Sequence, residues 1–391
     1  MTNSAPDPLY TRAFGVACLL HLVGGMSLSF FILGSLYVRE LGGTEAVIGL
    51  VLGIGTAASV AARPQVGFLL DRVGRRRMLL WGNALNALSY LPFLGVHAVG
   101  VPLVLWTIVH DVLWGLLFAS YFTYAADLVP ATRRAEGITV FGIFGMATNG
   151  LAPVLGEAII ARAGYDAFFV TAALFGAAAF VITAVAVEEP ARGAATAGGS
   201  GGILHAMGEV VRTGDLGLVL AATGLLGAGI NAAFVFVAPF TRHLGLEQAA
   251  PFFAASSGAS ILIRLLGRRV ADQLGPHRVA IPAFALYAAG LSILCLMPGP
   301  GVLVAAGTAC GIGHGSLFPV LGAVAVTRTP ARLHGTGISM VTAVLDLGAV
   351  IGTPLCGLIA HGCGYPAMFM TMAGASLGGL LLMVADRRAR R

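Results

Sequence analysis

The chain predicts an all-α membrane protein with twelve transmembrane helices in two pseudo-symmetric six-helix bundles, and three observations carry the prediction. Of 391 residues, 57% are hydrophobic and only 10% charged, with a mean hydropathy of +0.89; a soluble domain would carry about 25% charge. The apolar residues recur in blocks of roughly 20, the length a helix needs to cross ~30 Å of hydrocarbon. They lack the two-residue alternation of a barrel strand, so the backbone amides must be satisfied within helices. Finally, a charged hairpin running from Gly67 to Arg77 returns 201 residues later as Arg268 to Arg278.

Breaks at charged and Pro/Gly clusters place helices near 11–37, 45–69, 77–95, 101–127, 136–161 and 166–187, and again near 215–240, 249–271, 278–297, 302–327, 335–360 and 365–385. Residues 1–187 then form an N-terminal six-helix bundle and 215–391 a C-terminal one, joined by a flexible cytoplasmic linker, 188–214. The linker glycines lack the GK[ST] ending of a phosphate loop. The first span follows Arg12 without an A-x-A-like cleavage site, which reads as a retained helix rather than a signal peptide. The 55 glycines let helix backbones approach closely in lipid. Cys18, Cys295, Cys310, Cys356 and Cys363 fall in or beside apolar spans without metal-ligand spacing and read as packing residues, so neither metal nor cofactor is expected.

The 23 basic residues are all arginine. With both termini cytoplasmic, Arg39, Arg162 and Arg242 face outward, Arg63 and Arg264 fall within spans, and every other arginine faces the cytoplasm, a strong positive-inside bias. The expected location is therefore a cell inner membrane, spanned many times. The net charge of +6 is explained by basic loops facing anionic lipid and does not call for a nucleic-acid partner.

The repeat extends beyond the hairpin. Thr56, Ser59, Arg63, Asp71 and Gly74 reappear as Ser257, Ser260, Arg264, Asp272 and Gly275, Gly115 and Phe118 as Gly315 and Phe318, and Pro153 and Gly156 as Pro354 and Gly357. A duplicated six-helix unit places a substrate site between the units near mid-bilayer, with transport by rocking of one half against the other.

On these residues the chain resembles a major facilitator superfamily transporter along essentially its whole length. The superfamily signature G-x-L-x-D-R-x-G-R-R/K is met by Gly67, Leu69, Asp71, Arg72, Gly74, Arg75 and Arg76. Arg63-Pro64, the segment from Ala126-Asp127 to Glu136-Gly137, and Gly313-His314 with Phe318-Pro319 resemble bacterial exporters of the drug:proton antiporter type. Helix five, from Gly145 to Gly156, is similar to the antiporter motif G-x-x-x-G-P-x-x-G-G, although Pro153 is displaced and Glu157 takes the place of the final glycine. The resemblance implies that Asp71, Arg72, Arg75, Arg76 and Asp127, with Gly67 and Gly74, lock the inner gate. A carboxylate at the end of helix two beside a helix N-terminus, and an arginine within reach of Asp127, would do the same on electrostatic grounds; the alternative is a turn whose charges only fix topology. In the second copy Asp272 and Gly275 remain while Gln273 replaces the arginine, which makes the gate asymmetric.

Inside the membrane, Arg63 and Arg264 end two i, i+3, i+7 stripes with Thr56 and Ser59, and with Ser257 and Ser260; each arginine can snorkel, pair within the bundle, or touch substrate. Asp346 falls about 17 Å into helix eleven. An ionised carboxylate there costs at least ~2.5–3.5 kcal/mol, so it must bond a neighbouring helix, face a cavity or carry a coupling proton. Asp111 makes the same argument in helix four, four residues before Gly115, where many superfamily members carry an arginine. His314 reads either as a packing donor or as a proton relay. A central cavity is expected among His21, Trp114, Tyr121, Phe141, Asn149, Asn231, Phe234, Phe318 and Asp346, polar anchors amid aromatics that suit an amphipathic small molecule.

The sequence therefore points to a monomeric secondary transporter whose partners are a small organic molecule (drug-like, sugar or metallophore-like), protons and the bilayer, exporting by alternating access. Proton symport of a sugar, organic acid or amino acid remains open, as does a non-transporting receptor or scaffold. No HExxH, GxSxG or paired catalytic Asp motif suggests an enzyme.

Overall fold

The computed structural model describes residues 8–190, 215–267, 273–296, 299–330 and 333–390, apart from the side chains of residues 71, 131, 135 and 335. Twelve helical segments are described. In the N-terminal half they are α1 (Arg12–Glu40), α2 (Glu45–Val73), α3 (Arg75–Ser89), α4 (Val101–Leu128), α5 (134–163) and α6 (165–186). In the C-terminal half they are α7 (Gly217–His243), α8 (Ala250–Leu266), α9 (Pro276–Ile293), α10 (Pro300–Arg328), α11 (334–363) and α12 (365–388). The fold is the all-helical one expected from the apolar blocks.

Local chemistry sets the helix ends. The Thr11 hydroxyl accepts from Phe14 N at 3.2 Å and Thr44 from Val47 N at 3.4 Å, each satisfying an amide that the first turn leaves free. Proline stands in the first turn of α4, α8, α9 and α10, where no amide hydrogen is needed. The turns repeat in backbone conformation as well as in sequence. Gly42, Gly74 and Gly164 have positive φ, and so do Gly245, Gly275 and Gly364 in the corresponding turns of the second half. A side chain would be strained at these positions, so glycine is what lets each α2–α3 and α5–α6 connection reverse in so few residues.

Within each half the packing also repeats. α1 packs on α5 and α6 as α7 packs on α11 and α12, α2 on α4 as α8 on α10, and α3 on α6 as α9 on α12. The α8–α10 seam shows how glycine content becomes packing. Gly307, Gly311 and Gly315 lie along one face of α10 against the backbone of Phe252, Ser256 and Ser260, and a Cβ on Gly315 would sit 2.9 Å from Ser260 Cα. Gly313 faces the other way onto Tyr287 of α9. The glycine run 311–315 is therefore a packing device between three helices.

Three helix pairs carry the substantial contact between the halves among the described residues: α2 with α11, α5 with α8, and the last third of α1 with α7. α4 and α10 make no comparable contact across the halves among the described residues. The side of the molecule that carries both termini and the α2–α3 and α8–α9 turns is its basic face, and the opposite side is its far face.

Candidate functional site

The far face is sealed by polar contacts between the halves. Arg39, in the last turn of α1, donates from Nη1 to the Pro239 carbonyl at 2.9 Å and to the Tyr365 hydroxyl at 3.4 Å. Glu157, buried near the end of α5, accepts from the backbone amides of Ala249 (2.8 Å) and Ala250 (2.9 Å) at the start of α8, where free amides and the helix dipole favour a carboxylate. Glu45 lies 3.6 Å from His361. Just beneath, Gly49 meets Gly357, Gly53 meets Pro354, and Gly150 meets Ser257, so that α2 lies against α11 and α5 against α8 with almost no side chain between them.

Deeper along the same seam, Arg63 of α2 and Asp346 of α11 form an ion pair across the halves. Of the alternatives open for these two residues, the geometry places each against the other. Further toward the far face, Asn231 of α7 donates to Thr353 of α11 at 2.8 Å. The rest of the α2 stripe turns inward, with Thr56 hydrogen-bonded to Leu52 O and Ser59 against Gly115 of α4. The α8 stripe does the same: Ser260 donates to Gly311 O at 2.7 Å, and Arg264 donates from Nε to Gly315 O at 3.4 Å.

The aromatic residues expected in a cavity divide into two groups. On α4, Trp114 and Phe118 are stacked with centroids 5.2 Å apart and remain partly exposed. Phe122 continues this ladder at 4.8 Å and passes it to Phe141 of α5 (5.3 Å), on which the His21 ring of α1 stacks at 4.2 Å. Tyr121 and Phe141 themselves are 1% exposed, inside the N-terminal bundle; Tyr121 donates to Asn83 and His21 Nδ1 pairs with Phe141 O. Asn149 accepts from Ser29 at 3.0 Å. In the C-terminal half, the Phe234 ring of α7 lies 6.0 Å, centroid to centroid, from that of Phe253 and 6.5 Å from that of His314 of α10, while Phe318 is 36% exposed.

Asp111 of α4 packs against α2 and accepts no hydrogen bond among the described residues. Gly55 of α2 makes room for it, since a Cβ there would come within 3.0 Å of its carboxyl carbon.

At the basic face the signature residues tie one half together. Arg75 donates from Nε to Asp127 at 2.8 Å and from Nη1 to Leu70 O at 2.9 Å. The amides of Arg75 and Arg76 donate to Glu189 at 2.8 and 2.9 Å, and the Arg76 guanidinium caps α6 at Ala184 O and Val187 O. Arg72 lies over the Phe68 ring. Gly74 supplies the positive φ of the turn, as Gly275 does in the second copy, whereas Gly67 has open space around it. The Asp71 side chain and Asp272 lie outside the described residues. In the C-terminal half a cluster that sequence reasoning missed does the tying: Asp386 of α12 receives Arg328 of α10 and, at 2.6 Å, His277 of α9.

The missed contacts share a cause. Glu157 and Glu189 bind backbone amides, which no residue pattern marks, and Asp386 meets partners far away in the chain. Phe122 alone had a readable signal, the four-residue aromatic spacing Trp114, Phe118, Phe122.

This architecture is found in known proteins. The Major Facilitator Superfamily model matches residues 15–300 and 252–391. An uncharacterised MFS-type transporter of Pseudomonas aeruginosa is 30% identical over 364 residues, covering 91% of this chain and 88% of the relative. Among solved structures, the nucleoside transporter NupG aligns at a TM-score of 0.78 with 13% identity, covering 96% of this chain and 99% of that one. A bacterial homologue of the lysosomal transporter Spinster aligns at 0.71 with 15% identity, covering 97% and 95%. The chain belongs to the Major Facilitator Superfamily and is a multi-pass membrane transporter of that fold.

Proposed function

We propose that this transporter exports a small organic molecule in exchange for protons, and that the Arg63–Asp346 ion pair across the two halves is the element through which protons act. That pair carries the reading. Ionised Asp346 holds α2 against α11 and favours the arrangement sealed at the far face. A proton on Asp346 removes the attraction, so a group that changes charge also changes which side is open. Asp111 of α4, packed on α2 and without a hydrogen-bond partner among the described residues, is the second proton-binding candidate, and His314 of α10, across the cleft that we place between α4 and α10, is a relay.

The basic face is cytoplasmic by the positive-inside rule, which places both termini there in a bacterial inner membrane and makes this state open toward the cytoplasm. A Spinster homologue described as inward-facing and unoccupied has a similar fold, which supports that orientation. The chain works as a monomer with a bundle from 1–187, a linker 188–214 and a second bundle from 215–391. When the cleft opens outward, the basic-face ends close. Arg72, Arg75, Arg76, Asp71 and Asp127, with Gly67, Gly74, Asp272 and Gly275, form the gate on that side.

The test uses everted membrane vesicles energised to acidify the lumen, with acridine orange reporting the gradient. Sugars, organic acids and lipophilic dyes are added one at a time. An exchanger releases protons, and so dequenches the dye, with at least one class, and Asp346→Asn abolishes the response. Flux that ignores the gradient contradicts the proposal.

A further inference from the structure

The two membrane arginines occupy matching positions, 201 residues apart, but have different surroundings. Arg63 pairs with Asp346. The residue that matches Asp346 at the same spacing is Gly145 of α5, and α5 packs on α8 as α2 packs on α11. The matching position on α5 thus carries no carboxylate, and it faces the His21 ring of α1 rather than α8. From the Gly150–Ser257 contact, Arg264 lies seven residues and Gly145 five residues toward the basic face, about 10 Å and about 8 Å, so both sit at nearly one depth.

Arg264 is half-buried, and its one hydrogen bond among the described residues is the 3.4 Å contact from Nε to Gly315 O. It has no acidic partner among them. The remaining donors form a planar fork that matches an oxoanion at two points. Beside it stand His314, within electrostatic reach, and Phe234, whose ring packs edge-on against His314. A guanidinium at membrane depth without a counter-charge favours any anion that enters.

We infer that Arg264 is the subsite for the anionic group of the cargo, which makes the cargo a small organic carboxylate whose apolar part lies along Phe234. The inference rests on the transport reading above but concerns binding alone, and protonation of Asp346 leaves it unchanged. The carboxylate supplies the counter-charge that no acidic residue gives Arg264 among the described residues. Uncharged analogues of the same shape leave the guanidinium unpaired and bind poorly.

The experiment is equilibrium binding to the purified full chain in detergent, without any gradient, read as thermal stabilisation. The probes are benzoate, phenylacetate, 4-hydroxybenzoate, glucuronate and lactate, each beside its neutral amide, with benzylamine as the cation. At least one carboxylate is expected to stabilise the protein while its amide does not. Arg264→Gln weakens that binding at least tenfold, and Arg264→Lys, which keeps the charge and loses the fork, weakens it less; size-exclusion profiles confirm that both variants are folded. Silence from every carboxylate, equal binding of the amides, or unchanged binding by a folded Arg264→Gln protein overturns the inference. Carboxylate binding without gradient-driven flux would instead overturn proton coupling and leave this subsite standing.

Discussion

In the N-terminal half the basic-face ends are tied by carboxylates at the ends of α4 and α6, Asp127 and Glu189, which receive the side chain and amides at the start of α3. In the C-terminal half the residue matching Asp127 is Thr327, the charge is carried by its neighbour Arg328, and the carboxylate has moved to Asp386 of α12, where Arg328 and His277 converge. The two halves thus solve one problem, holding four helix ends together beside water, with opposite charge on the fourth helix. Their exposure differs too. The Asp127 side chain is 32% exposed and that of Asp386 only 4%. A partly solvated tie can be broken and remade at little cost, whereas a buried cluster cannot, so the N-terminal turn suits a gate and the C-terminal cluster suits a fixed joint.

The largest effect expected from this comparison is on stability. Asp386→Asn strands Arg328 in a buried position and should cost about 3–5 kcal/mol, while Asp127→Asn should cost about 0–1 kcal/mol. Thermal unfolding of the two variants in detergent measures both, and equal losses would remove the distinction between gate and joint. Next are the matching glycines of α4 and α10. A Cβ on Gly315 meets the Ser260 backbone, whereas on Gly115 its close neighbour is the Ser59 hydroxyl, which can rotate away. Gly315→Ala should therefore destabilise by about 1–3 kcal/mol and Gly115→Ala by clearly less, compared in the same melts. The smallest effect is at the far face, where Glu157 of the first half has Leu358 as its counterpart, so one carboxylate holds one side of the seal. Glu157→Gln keeps an acceptor but loses the charge at the α8 N-terminus, worth about 1 kcal/mol. That should raise labelling of a cysteine at Ala249 from the far face several-fold.

Much of the fold could be read from the sequence, because hydrophobic length and a repeat at about half the chain are properties of composition and order alone. All twelve segments fall near their expected ranges; α1 extends to Glu40 and α2 to Val73, since the chain stays helical through the interfacial turns. The site was legible only in part. Arg63 and Asp346 stood out as charges at membrane depth, but a stripe on one helix does not say which distant helix it faces, so their pairing required the fold. Tyr121 and Phe141 show the converse. Aromatic residues pattern alike whether they line a cleft or fill a bundle, and these two fill the bundle.

If a proton on Asp346 decides which side of the cleft is open, the two faces must move in opposite directions as that proton binds. Spin-label distances test this most directly, with one pair at Arg77 and Arg278 on the basic face, another at Ala98 and Leu296 on the far face, and the exposed Cys363 replaced by serine. Lowering the pH in lipid nanodiscs should lengthen the far-face distance and shorten the basic-face one, and in Asp346→Asn both distances should stay at their low-pH values throughout. Distances that ignore pH in the unmodified chain, or that shift equally in Asp346→Asn, would contradict it.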